Sequence, residues 1–175
     1  MKIYERAPDG YLVVTLGGGE VAMMQMLLAE VRGLVLSPDE NEAQKRLFPR
    51  VYLDPTEEDA EAELQSLVHD DLVKQRIAGF DEIERLLAAG VPDGELVRLV
   101  LDDDQTEQFL RAVNDMRLAI AASLGLDRAD EEDAAAADPN ALAILRWLAE
   151  LVGDLTDLLL GELPGAPDSG VDSPE

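Results

Sequence analysis

The sequence contains no cysteine and only one histidine in 175 residues. Without cysteine there is no disulfide, no thiol nucleophile, no thiol redox sensor and no zinc site that uses a thiolate. The lone His69 cannot complete a Cys/His metal site. Basic residues are scarce too: 14 Lys and Arg stand against 38 Asp and Glu, a formal net charge of −24. A field of that sign repels a phosphate backbone at long range, so nucleic acid and anionic membranes are poor partners for the isolated chain. No stretch approaches the roughly 18 consecutive apolar residues of a spanning helix. The start, Met1-Lys2-Ile3-Tyr4-Glu5-Arg6 before Pro8-Asp9-Gly10, is too charged for the hydrophobic segment of a secretory signal. The expectation is a cytoplasmic protein, not bound to a membrane and suited to a reducing compartment.

What is present is enough for one core. Hydrophobic residues make up 47% of the chain and charged residues 30%, a balance that folds and stays soluble. At this length roughly 70% of the extended surface leaves water without the help of a cross-link. Ile3 to Arg6 and Tyr11 to Leu16, joined by Ala7-Pro8-Asp9-Gly10, predict a β-hairpin with Pro and Gly at the turn positions that suit them. Val21, Met24, Leu27, Leu28, Val31 and Leu34 recur at helical spacing and predict a first helix over 20–36. A short helical turn is expected within 39–44, and an extended stretch at Val51 to Leu53.

Acids at Glu57, Glu58 and Asp59 after Asp54-Pro55-Thr56 favour a helix start. Asp70-Asp71 reads as the cap of a second helix after a kink, so two helices are predicted before Gly90. The segment 90–94 reads as a turn and 96–101 as a third strand. Asp102-Asp103-Asp104 opens a helix with Phe109, Val113, Met116, Ile120 and Leu124 on one face and Gly125 as its stop. Asp138-Pro139 opens a last helix whose stripe is Leu142, Leu145, Leu148, Val152, Leu155 and Leu159. The fold class is therefore mainly α: one helical domain over 1–161 with a small antiparallel sheet, then an acidic, disordered tail over 162–175.

The candidate chemical motifs are weak. Gly17-Gly18-Gly19 stands between a strand and a helix, but Glu20 follows where a phosphate loop needs Lys, and its carboxylate would compete for the same N–H donors; it reads as a connector. His69 has Asp70 and Asp71 beside it, but no nucleophile elbow surrounds Ser37, Ser66 or Ser123; it reads as a helix-surface or helix-junction residue. Asp102 to Asp104 and the acids over 127–133 lack the alternation and the turn glycine of a calcium loop and read as helix caps and solubilising charge. No cofactor, no metal and no catalytic residue is expected, and no enzyme. Met24 is expected in the core, with Met23 or Met26 exposed. Lys45, Arg46 and Arg50 flank Phe48 and are expected to pair with the acids over 57–59. Arg76 and Arg117 lie near apolar helix faces and are expected to bury their stems against internal partners, Asn114 and Asp115 being the nearest in sequence.

Arg46-Leu47-Phe48-Pro49 with Tyr52, the acidic helix reaching Leu72 and Arg76, Asn114-Asp115-Met116-Arg117-Leu118, and a final Leu-rich helix with Trp147-Leu148 occur in an order that chance seldom gives. Together they resemble the actinomycete oxidative-stress regulator (AosR-like) family, long catalogued as a domain of unknown function, over most of the chain to about Leu160. The resemblance implies a cytoplasmic regulator of transcription that works with a sigma factor, not an enzyme. It also implies thiol oxidation as the trigger, which a chain without cysteine cannot carry. The matched residues Arg46, Phe48, Pro49, Tyr52, Arg76, Asn114, Asp115 and Arg117 are read first as signatures of the fold and second as a partner-binding surface.

An acidic chain is suited to a protein partner with a basic surface, so the leading expectation is regulation of transcription by contact with a sigma factor or polymerase component. A proteolysis-linked adaptor or scaffold is the alternative, and a metal-dependent enzyme using Asp102 to Asp104 a third. A homodimer is also expected to be open to the chain, since several Leu-rich helices leave one stripe without a partner.

Overall fold

The computed structural model describes residues 3–7, 10–49, 58–126 and 138–161. Strand β1 (Ile3–Arg6) pairs antiparallel with β2 (Leu12–Gly17), Ile3 opposite Thr15 and Arg6 opposite Leu12. The connection closes with Gly10 N–H on the Ala7 carbonyl at 2.9 Å and Ala7 N–H on Tyr11 at 2.8 Å. Gly10 has φ +93°, which is why a residue without Cβ stands there. Alternation then sorts β2: Leu12, Val14 and Leu16 turn into the core.

Helix α1 (Gly18–Leu36) starts two residues earlier than the sequence suggested. Gly18 and Gly19 are helical, and the Glu20 carboxylate folds back to accept the Gly17 N–H at 2.6 Å, so the triglycine is a helix start and not a free connector. Val21, Met24, Leu27, Leu28, Val31 and Val35 are buried; Met26 is exposed. The expected turn within 39–44 is helix α2 (Glu42–Leu47), displaced towards the C-terminus because Asn41 caps it by accepting the Gln44 N–H at 2.9 Å. The expected extended stretch at 51–53 and Tyr52 lie outside the described residues, as do the acidic loop over 127–137 and the tail over 162–175.

The two helices expected on either side of Asp70-Asp71 are one helix, α3 (Glu58–Ala89). Both aspartates are exposed, and Lys74 Nζ reaches Asp71 at 3.2 Å. Two charged residues on the solvent side need no break, and no Pro or Gly interrupts the sequence there. The segment 90–94 is not only a turn: Val91–Asp93 forms strand β3 on the outer edge of β4 (Leu96–Leu101). Pro92 is tolerated because an edge strand does not use every N–H. Gly94, at φ +63°, makes the tight reversal between them. The order across the sheet is β1-β2-β4-β3, all antiparallel.

Helix α4 (Asp103–Ser123) is the centre of the domain and touches α1, α2, α3, β4 and the last helix, α5 (Pro139–Gly161). Asp102 accepts the Gln105 N–H at 2.8 Å while Gln105 Oε1 accepts the Asp102 N–H at 3.1 Å, a reciprocal cap. Phe109, Val113 and Met116 are fully buried. On α5 the buried line is Leu148, Leu151 and Leu155, with Ile144 and Leu158 packed beside it; Leu151 was absent from the predicted stripe because α5 is apolar over more than half its circumference, so spacing alone leaves its inward direction open. The architecture is thus mainly α, with four short strands under the helices. Among the described residues no helix is long and apolar enough to cross a membrane.

Candidate functional site

The family-like residues meet where α2 docks on α3 and α4. Arg76, halfway along α3, forms an ion pair with Asp115 of α4 and donates from Nη2 to the Leu47 carbonyl at 2.6 Å. That carbonyl belongs to the last turn of α2, where four carbonyls lack partners within the helix. The Arg76 guanidinium carbon also lies 5.0 Å from the centre of the Phe48 ring, within range of a cation–π contact. His69, just under two turns before Arg76 on α3, meets the same ring edge-on at a centroid distance of 5.0 Å. Phe48 is thereby clasped by a cation and an imidazole, and the end of α2 is fixed by Arg76.

Asp115 is buried, 7% of its side chain exposed, whereas Arg76 keeps 24%. Burial pushes the Asp115 carboxyl above the ordinary carboxylate range, with Arg76 and then Arg111 pulling it back towards the charged form. Arg76 and Arg117 find the neighbours that the sequence placed nearest to Arg117: Arg76 takes Asp115, and Arg117 Nη2 bonds Asn114 Oδ1 at 2.9 Å. Pro49 and Arg46 are exposed at the edge of this junction. Lys45 pairs with Glu42 at 2.8 Å within α2; the expected pairing of this basic cluster with the acids over 57–59 lies outside the described side chains.

A second cluster ties the two ends of the domain. The Glu20 carboxylate accepts the Gly17 N–H on one oxygen and the Trp147 indole N–H, 3.0 Å away, on the other. Burial opposes its charge, but these two donors hold its pKa below the ordinary value. Nearby, the Tyr4 hydroxyl is buried without a hydrogen-bond partner among the described residues. Burial first, and then Asp154, Glu20 and Glu150, push its pKa far above the ordinary tyrosine value. A phenol in that state keeps its proton and is a poor acid. Nothing in the sequence links Glu20 to Trp147, 127 residues apart.

Of the acids expected to cap, Asp102 does so at α4 and Asp103 Oδ1 pairs with Arg6 at 3.1 Å, while those over 127–133 lie outside the described residues. Among the described residues no group of three or more His, Asp or Glu is placed to hold a metal ion. The candidate site is a junction that positions α2.

A family profile described as a domain of unknown function, DUF2017, matches residues 1–159. No curated protein and no solved structure matches the chain.

Proposed function

The chain belongs to the DUF2017 family, and from that premise we propose that it is a cytoplasmic regulator of transcription, of the AosR-like kind, that acts by contact with a sigma factor or another polymerase component. The observation that carries this reading is the charge. At −24 over 175 residues, with a pI near 4.1, the chain is driven away from DNA and towards proteins with basic surfaces. Its means of control is then occupancy of a partner and not base readout. The junction around Arg76 serves this role by holding α2 in a fixed orientation. Thiol oxidation is not the trigger, since the sequence holds no cysteine.

Affinity capture of the tagged full chain from its host's soluble extract, followed by mass spectrometry, tests the reading. The expected result is selective recovery of a sigma factor or polymerase subunit at low salt, diminished at physiological salt. Recovery of protease components instead would favour the adaptor reading, and recovery of the chain alone would contradict both.

A further inference from the structure

Beside the Arg76–Asp115 pair, helices α3 and α4 line a cleft of about 700 Å³. Sites for small organic ligands typically run to roughly 300–1,000 Å³. Leu72, Phe80 and Ala112 supply apolar walls, and Arg85 from α3 and Arg111 from α4 stand over the same space. Phe80 and Ala112 are buried at 1% and 3% exposure, so these two walls are part of the core, while Leu72 is exposed at the rim. Three of the fourteen basic residues, Arg76 included, line this one cleft, against two carboxylates, Glu82 and Asp115.

The three arginines are not alike. Arg76 is committed to Asp115 and to the Leu47 carbonyl. Among the described residues Arg85 pairs with Glu82 and Arg111 with Glu107, each one turn away on its own helix, and the two arginines keep 70% and 53% of their side chains exposed. The Arg111–Glu107 pair is exposed on both sides and contributes little; Glu82 is 16% exposed and keeps a bond from Gln105 Nε2 at 3.2 Å when the exposed Arg85 guanidinium turns to an incoming anion.

Gly79 supplies an independent reason to read the space as kept open. It sits in the interior of α3, where glycine is unfavourable relative to alanine, and a Cβ built on it meets nothing within 4 Å. Gly33 and Gly153 also have room, but they face solvent. Gly79 forms part of the cleft wall, and a side chain there would project into the cavity.

We propose that this cleft binds a small amphiphilic anion, its apolar body between Leu72, Gly79 and Ala112 and its carboxylate or phosphate head on Arg85 and Arg111. The proposal is independent of the partner named above.

The test uses the fluorescent probe 8-anilinonaphthalene-1-sulfonate, an anion on an aromatic body, beside its uncharged analogue N-phenyl-1-naphthylamine. The folded chain is expected to bind one sulfonate probe per molecule, more tightly than the neutral analogue, and to release it to decanoate or decyl phosphate. Gly79→Leu, which fills the cleft from an unobstructed position, is expected to abolish binding with unchanged circular dichroism. The surface variant Arg85→Ala/Arg111→Ala is expected to weaken binding about tenfold or more, the effect of losing charge-assisted hydrogen bonds. Equal binding of charged and neutral probes, binding unaffected by both variants, or displacement by neither competitor would overturn the proposal.

Discussion

Replacing Arg76 with Met removes the guanidinium and keeps most of the apolar stem. Asp115 then loses its ion-pair partner while remaining 7% exposed, and the Leu47 carbonyl loses its 2.6 Å donor. Breaking a buried pair by deleting one partner costs about 3–5 kcal/mol, a third or more of the stability of an ordinary domain. In urea, with a slope of about 1–3 kcal/mol per molar, the midpoint is expected to fall by roughly 2 M. Asp115→Asn is expected to cost less, about 1–2 kcal/mol, because Arg76 keeps its bond to Leu47 and is exposed enough to reach water. The pH dependence separates this explanation from simple loss of packing. The Asp115 carboxyl already sits above its usual 3.8 in the folded protein, so the folded state holds that proton more readily than the unfolded one. Its penalty is fully present above the folded pKa and is relieved as pH falls through it. Without Arg76 the folded pKa rises further, and the deficit of Arg76→Met is expected to shrink by about half or more between about pH 8 and pH 5.5. Urea titrations of both variants at the two pH values decide it. A deficit under about 1 kcal/mol, or one that does not change with pH, would refute the account of Asp115 as a buried charge held by Arg76.

Three further outcomes follow from the packing. Asp71→Pro is expected to cost about 3 kcal/mol or more in chemical denaturation if α3 runs unbroken from Glu58 to Ala89, whereas a helix capped at Asp70 would accept Pro in its first turn with little loss. At Gly90 a Cβ would meet Val97 Cγ1 at 2.4 Å and Leu99 Cδ2 at 2.8 Å, so Gly90→Ala is expected to lower stability by about 1–3 kcal/mol, while Gly33→Ala, with open space, is expected to raise it by about 0.5–1 kcal/mol; thermal melts report both signs. Glu20→Ala removes the acceptor for the Gly17 N–H and the Trp147 indole; a loss of about 1–2 kcal/mol with a shift in Trp147 emission is expected, and an unchanged emission spectrum would contradict the contact.

Where one residue pattern pointed to one structure, the sequence was a sufficient guide. The α4 stripe of Phe109, Val113 and Met116 and the cap at Asp102 specify a helix with one buried face, and Gly10 fits the reversal between β1 and β2. It failed where a local signal has two meanings. An aspartate pair caps a helix or solvates its outer face, and at Asp70-Asp71 tertiary packing chose the second. Pro92 argues against a central strand but not against an edge, and only pairing with β4 shows β3 to be an edge. The candidate site was half legible. Arg76 and Asp115 stood out as polar groups close to apolar faces, yet the Leu47 carbonyl is a backbone atom that no residue type announces. The cleft lies between two helices that meet only in the fold and is left open at Gly79, neither of which is a pattern in sequence.

The reading as an acidic regulator is tested most directly by titrating the purified full chain into its host's sigma factors and polymerase subunits across a salt series, with a duplex DNA as the competing target. The account predicts saturable binding to one of these proteins, weakening steeply as salt rises, and no DNA binding at physiological salt. Tight DNA binding by the isolated chain at physiological salt, or no binding to any of these proteins at low salt, would contradict it.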